Sequence, residues 1–238
     1  MPASRAASST SGRPIRGVER PIRARLLVDG DHYDELITRA VAHACVSVWI
    51  TTANLKTMLV EAPIGSRARA RGRYVSFFES LGDLAGRGVD VRLLHASPAS
   101  GPLAREMARL GERERTSGAV KMRRCPRVHL KMIAVDGRLL YLGSANLTGA
   151  GLGAKAEGRR NFEMGIMTDS EAMLDAAQER FDRIWRGSEC ASCKLRGECD
   201  LPIDVLVRRR AGRDARTGPA TISPGSSPRR RRNPSSPR

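Results

Sequence analysis

The chain has 238 residues, with 42 Lys and Arg against 25 Asp and Glu and a net charge of +17 at neutral pH. That length holds one substantial α/β domain with a real core and is tight for two. No apolar run approaches the ~18 residues of a membrane span, and the opening MPASRAASSTSGRPIRGVERPIR lacks the apolar centre of a secretory signal, so a cytoplasmic location is expected. The charge is uneven: residues 1–23 carry +4, residues 203–238 carry +8, and 24–202 hold only +5. Arg-, Pro- and Ser-rich ends of this kind bury too little apolar surface to offset their ordering entropy, which predicts a disordered basic arm over 1–23 and a disordered Arg/Pro/Ser-rich tail over 204–238. Such tails suit salt-sensitive attachment to nucleic acid or to an anionic surface.

Between them the pattern alternates. Residues 24–28 (Ala-Arg-Leu-Leu-Val) read as a strand closed by Asp29-Gly30, and 31–44 place Leu36, Ile37, Ala40, Val41 and Ala44 on one helical face. Val46–Ile50 reads as a strand, 54–73 as a long irregular stretch with Pro63, Gly65 and Gly72, and 74–86 as a helix burying Val75, Phe78, Leu81, Leu84 and Ala85. Strands follow at 89–95, 119–122, 130–135, 139–142 and 162–168, with a helix at 101–113 and a last one at 171–186, capped by Asp169-Ser170. Strands alternating with helices predict a mixed β-sheet flanked by helices on both faces.

Chemistry concentrates in residues 129–146, His-Leu-Lys-Met-Ile-Ala-Val-Asp-Gly-Arg-Leu-Leu-Tyr-Leu-Gly-Ser-Ala-Asn. On a strand, His129 and Lys131 share a face about 7 Å apart while Leu130 turns to the core. Asp136-Gly137 signals a hairpin that brings Gly143-Ser144-Ala145-Asn146 back beside them. An imidazole, an ammonium, a hydroxyl and a carboxamide then converge, a set suited to a phosphoryl group, whose transfer needs in-line attack and stabilised equatorial charge.

His129-x-Lys131-x4-Asp136-x6-Gly143-Ser144 resembles the HKD signature of the phospholipase D superfamily, with Asn146 at that family's asparagine and Asn161-Phe162-Glu163 similar to its following strand. The resemblance spans 24–187, which it marks as a phospholipase D-like catalytic domain. It implies a phosphodiester hydrolase in which His129 attacks phosphorus to form a phosphohistidine and Glu163 accepts a hydrogen bond from the other ring nitrogen. Lys131, Ser144 and Asn146 would bind the phosphoryl oxygens, Asp136 would act chiefly as structural support, and catalysis would need no cofactor. Many members carry two such motifs, but His32, His43 and His95 have no lysine two residues on. The smallest single-motif members of that family are bacterial nucleases that homodimerise, so the resemblance implies a homodimer with one His129 from each subunit.

Substrate class is a separate question. Arg67, Arg69, Arg71 and Arg73, the glycine-rich 149–153 segment with Lys155, Arg159 and Arg160, and the basic ends favour DNA or RNA, hence a nuclease, endonucleolytic or otherwise. The alternatives are a phospholipase D or phosphatidyltransferase acting on lipid and a degenerate nucleic-acid-binding module. Finally, the Cys-rich segment 188–203 holds Cys190, Cys193 and Cys199, a C-x2-C-x5-C spacing suited to a structural zinc or an iron–sulfur cluster, with Cys125, Cys45 or a histidine as fourth ligand.

Overall fold

The computed structural model describes residues 21–62, 67–99, 101–113, 120–199 and 201–206. The expected disordered arm and tail therefore lie almost wholly outside the described residues. Strand β1 (Ala24–Val28) precedes a π-helix (His32–Ala40) and one 3-10 turn (Val41–His43). Then come β2 (Ser47–Thr52), β3 (Leu59–Glu61), the short α1 (Arg67–Ala70), β4 (Tyr74–Ser76) and α2 (Phe77–Gly86). Strand β5 (Asp90–His95), α3 (Gly101–Arg113), β6 (Lys121–Arg124), β7 (Met132–Val135), β8 (Leu139–Gly143), β9 (Met164–Thr168) and α4 (Glu171–Trp185) complete the order.

Seven strands form one sheet in the order β1-β9-β8-β7-β2-β5-β6, with β3 and β4 as a separate antiparallel pair. β5 lies parallel to β2 and β6, and every other pairing in the large sheet is antiparallel, so the sheet is mixed. All four residues of β7 are buried, because the sheet is covered on both sides. Ile133 and Val135 join Leu36, Phe77, Phe78 and Leu81 from the π-helix and α2. Met132 and Ala134 point the other way, into a core with Leu174, Phe181 and Trp185 of α4. There Trp49 stacks on Phe181 with centroids 5.1 Å apart, Phe181 stacks on Trp185, and the Arg92 guanidinium lies 4.4 Å from the Trp49 ring centre.

Several sequence expectations are corrected. The helix expected over 31–44 is wound as a π-helix followed by a 3-10 turn, and the Val41 N–H is shared between the carbonyls of Leu36 and Ile37. The stretch 54–73 is not irregular throughout, since it holds β3 and α1. The expected helix at 74–86 begins only at Phe77, where the Ser76 hydroxyl caps the Phe78 N–H. Tyr74, Val75 and Ser76 pair instead with Glu61, Val60 and Leu59. The strand expected from 130 starts at Met132, and Leu130 is 40% exposed instead of core. A turn from Cys125 to Val128 buries the Val128 side chain just upstream, and the chain between Val128 and Met132 runs outside the ladder, tied to it by the Gly143 N–H to the Lys131 carbonyl.

The β7–β8 turn has the left-handed pair that a two-residue hairpin requires, Asp136 at φ 54° and Gly137 at φ 62°. The Asp136 carboxylate accepts from the backbone N–H groups of Cys45, Val46 and Ser47, and its own N–H donates to the Ser47 carbonyl at 2.8 Å. Partial burial would raise this carboxyl, but those three donors outweigh it and hold Asp136 below the usual carboxylate range, with Arg138 adding to the effect. Its contribution is therefore present above pH ~4 and lost as pH falls through the depressed folded value. Asp136→Ala should lower unfolding free energy by about 1–3 kcal/mol at neutral pH, read from urea denaturation. The gap between wild type and variant should close under acid; a gap independent of pH would show that the charge is not what matters.

Candidate active site

The hairpin delivers the motif to one end of the sheet. Lys131 folds back over His129: its ammonium lies 3.1 Å from Nδ1 and 3.4 Å from Nε2, and donates to the His129 carbonyl at 3.0 Å. His129 is exposed and Lys131 half-buried, so both are open to a ligand. Because the pair lies outside the strand, the two side chains touch instead of standing a strand spacing apart.

Across the hairpin, Gly143 pairs with Gly165 of β9, which brings Ser144 against Glu163. The Ser144 hydroxyl donates to Glu163 Oε2, and Asn161 Nδ2 donates to Oε1 at 3.0 Å. The Glu163 backbone is pinned from both sides by Asp29, whose Oδ1 accepts its N–H at 2.8 Å and whose own N–H reaches its carbonyl at 3.0 Å. The expected hydrogen bond between Glu163 and His129 is thus not formed among the described residues. Both Glu163 oxygens are taken by Ser144 and Asn161, while the partner of the His129 ring is Lys131. Asn146 Oδ1 accepts from the Asn54 N–H at 3.0 Å and the Thr52 hydroxyl at 3.3 Å, which anchors the side chain to the end of β2.

Beneath this layer the Tyr141 ring is 1% exposed and fills the space between the two glycines. A Cβ at Gly143 would stand 2.7 Å from Tyr141 Cζ and 2.8 Å from the Gly165 Cα, closer than packing allows. Burial pushes the Tyr141 phenol up to about 12, opposed by the nearby Ala145 backbone and helped by the Glu163 charge, so it stays protonated under the site, with its oxygen buried and without a hydrogen-bond partner.

Residues 37–185, more than half of the chain, match the family described as cardiolipin synthase, PLD-like domain. The chain belongs to the phospholipase D-like family. The phospholipase D-like chain is similar in fold to NucT from Helicobacter pylori at 17% identity, covering 68% of this chain and 95% of that one with a TM-score of 0.47. It is likewise similar to Nuc, a phospholipase D family member from Salmonella typhimurium, at 16% identity, 70% and 95% coverage and a TM-score of 0.48. Phosphatidylserine synthase of Haemophilus influenzae shares the fold at 15% identity, with 81% and 45% coverage and a TM-score of 0.41. A search of curated protein sequences finds no match. No helix among the described residues is long and apolar enough to cross a membrane.

The other expected binding residues are spread more widely. Arg67 and Arg69 sit on α1, where Arg69 pairs with Glu61, and Arg71 and Arg73 are exposed in the turn leading to β4. This unit is tied to the motif's end of the sheet by the Leu55–Leu147 bridge and by Met58, which lies against Gly149. The glycines of the 149–153 segment are buried: a Cβ at Gly151 would meet the Asn146 carbonyl at 2.7 Å and one at Gly153 the Asp29 carbonyl at 2.9 Å, while Gly149 faces the Lys155 and Met58 side chains. Beyond it, Lys155 and Arg159 are exposed, whereas Arg160 turns back to donate to the Lys155 carbonyl at 2.6 Å. Asp29, Thr52 and Asn54, which fix Glu163 and Asn146, escaped the sequence reading because their partners lie more than ninety residues away.

His95, at the end of β5, is 5% exposed and bonds through Nδ1 to the Ser97 carbonyl at 2.8 Å. Burial holds its imidazole below the ordinary range, with Arg124 adding to the shift and the Ser97 bond opposing it. The folded state therefore favours neutral His95, so stability is full above the unfolded value near pH ~6.5 and is lost as pH falls below it toward the folded value. The urea midpoint of the wild type should fall between pH 7 and pH 5 more steeply than that of His95→Gln, and parallel pH profiles would contradict this.

Proposed function

We propose that the phospholipase D-like chain is a metal-independent phosphodiesterase acting on nucleic acid through a phosphohistidine intermediate in a homodimeric site. One observation carries the reading: His129 and Lys131 stand side by side and open to solvent, beside a Ser144 hydroxyl held by Glu163. In this scheme a His129 ring nitrogen attacks phosphorus as the ester oxygen leaves, and a second imidazolium gives that oxygen its proton. The second imidazole then takes a proton from water, whose oxygen breaks the phosphorus–nitrogen bond. Lys131, Ser144 and the Asn146 amide meet the equatorial oxygens as charge grows on them.

The chain has one such histidine, so the second imidazole is assigned to His129 of a second copy. The surroundings support a mate. Phe162 is 97% exposed beside Glu163, and Leu130, Leu26, Val28 and Met164 also present apolar surface. Leu26 and Val28 pair across the strands with Ile166 and Met164, so they form one continuous apolar stripe on the β1–β9 edge. Burying it against its own copy would close the open half-site. Nucleic acid is favoured over lipid by the cations: Arg71, Arg73, Lys155 and Arg159 are exposed, and a charge of +17 suits a polyanion.

The test is incubation of the full chain, in EDTA, with labelled single-stranded DNA, duplex DNA, RNA and phosphatidylcholine vesicles. Cleavage of nucleic acid alone is expected; phosphatidic acid release would select a lipid enzyme, and binding without turnover a degenerate module. His129→Ala should abolish turnover while leaving nucleic-acid binding in place. Lys131→Ala and Ser144→Ala should each lower kcat by about 10², and an effect confined to KM would reduce them to binding groups. Equal mixtures of wild type and His129→Ala, after full subunit exchange, should show about half the activity per wild-type chain, since only wild-type pairs are complete. Undiminished activity per wild-type chain would rule out the shared site.

A further inference from the structure

The C-x2-C-x5-C segment plays no part in the phosphodiester chemistry, and the fold gives it an unexpected companion. One solvent-connected cavity of about 70 Å³ is lined by Cys190, Cys193 and Cys199 together with Cys125, which lies 65 residues earlier in the chain. Cys125 follows β6, where its N–H donates to the His95 carbonyl at 2.9 Å. Cys190 and Cys193 flank one turn, Cys193 N–H to Cys190 carbonyl at 3.3 Å, and Cys199 follows the next, Cys199 N–H to Arg196 carbonyl at 3.2 Å. All four thiols are free and partly buried, whereas the fifth cysteine, Cys45, is exposed elsewhere.

We propose that Cys125, Cys190, Cys193 and Cys199 are the four thiolate ligands of one iron–sulfur cluster, which clamps the C-terminal segment to the turn that leads into His129. Three features point this way. First, four cysteines converge from two distant stretches of chain, and four thiolates are the full ligand set of a cubane cluster. Second, the space fits a cluster better than an ion. Among the described residues no three His, Cys, Asp or Glu side chains are grouped closely enough to hold a metal ion as they stand, so the four thiols have to draw together on the ligand. The cavity of about 70 Å³ exceeds several-fold the roughly 10–15 Å³ that one water needs, whereas tetrahedral zinc would draw its sulfurs to within about 3.8 Å of one another at a bond length of ~2.3 Å.

Third, the rim is cationic. Arg124, Arg127, Arg180 and Arg196 line the same cavity. When four thiols release their protons and bind a cluster core of charge +2, the site carries −2, and this rim faces that charge. Arg127, two residues beyond Cys125, lies on this rim with Cys193. The rim is itself braced: Arg196 pairs with Asp204 at 2.9 Å and Arg180 with Glu189 at 3.0 Å, so the guanidiniums are positioned before any ligand arrives. Cys125 is four residues from His129. The chain between them is held by the Val128 N–H to the Cys125 carbonyl at 3.0 Å and by burial of Val128, so a fixed Cys125 fixes the approach of the histidine.

The experiment purifies the full chain without oxygen and measures iron, acid-labile sulfide, zinc and visible absorbance. About four irons and four sulfides per chain, with a broad absorbance in the visible, are expected. Each of Cys125→Ser, Cys190→Ser, Cys193→Ser and Cys199→Ser should lose most of the iron, and Cys45→Ser none. Should the four variants fail to fold, alkylation of the wild type serves in their place: Cys45 should react at once and the other four only after the cluster is stripped by oxidant and chelator. One equivalent of zinc and no sulfide would overturn the cluster. Iron retained by Cys125→Ser would remove the fourth ligand, and metal-free protein with all five thiols reacting alike would overturn the site.

Discussion

A single carboxylate sets the frame in which everything else is placed. Asp136 ties the tip of the β7–β8 hairpin to three successive N–H groups at the start of β2, and this attachment fixes the pairing of Val135 with Val48 and Ile133 with Ile50. A strand shifted by one residue would turn Ile133 and Val135 toward α4 and Met132 and Ala134 toward α2, exchanging the contents of the two cores. The same pairing decides what emerges at the opposite end of the hairpin, where Lys131 meets Gly143. An acid at the far end of the hairpin thereby determines which side chains emerge beside His129.

The His129 end of the sheet shows a division of labour between rigid and open parts. Glu163 is over-determined, held through its backbone by Asp29 and through its side chain by Ser144 and Asn161. Asn146 is likewise fixed by Thr52 and Asn54 at the end of β2. The imidazole is different: it rises from chain outside the sheet, and its side-chain contact is a lysine from the same three-residue stretch. Under the proposed mechanism, fixed polar groups beside an exposed histidine would suit a ring that has first to approach phosphorus and then carry it.

Much of this was legible in the residues. The alternation of apolar runs with helical periods yields the layered sheet, and α3 and α4 fall where their faces predict. The hairpin turn is announced by Asp136-Gly137. What escaped was governed by distant partners. Tyr74–Ser76 looks helical because Val75 continues the apolar face of α2, and only Leu59–Glu61 makes it a strand. Leu130 looks like core because it lies in an apolar run, but the turn at Cys125–Val128 brings the chain into the ladder one residue after Lys131. The link from Ser144 to Glu163 depends on the pairing of Gly143 with Gly165, which no local pattern specifies.

That glycine pair bears on how such proteins can diverge. Tyr141, Gly143 and Gly165 share one volume, the ring occupying the room that two missing side chains leave. A mutation that introduces a side chain at either glycine collides with the ring, and one that shrinks the tyrosine opens a void under Ser144 and Glu163. The three positions are therefore a single heritable unit, free to drift only by coordinated replacement. A chain with an aromatic at 141 has no room for a side chain at 143 or 165, so the glycine beside Ser144 answers to the layer below it.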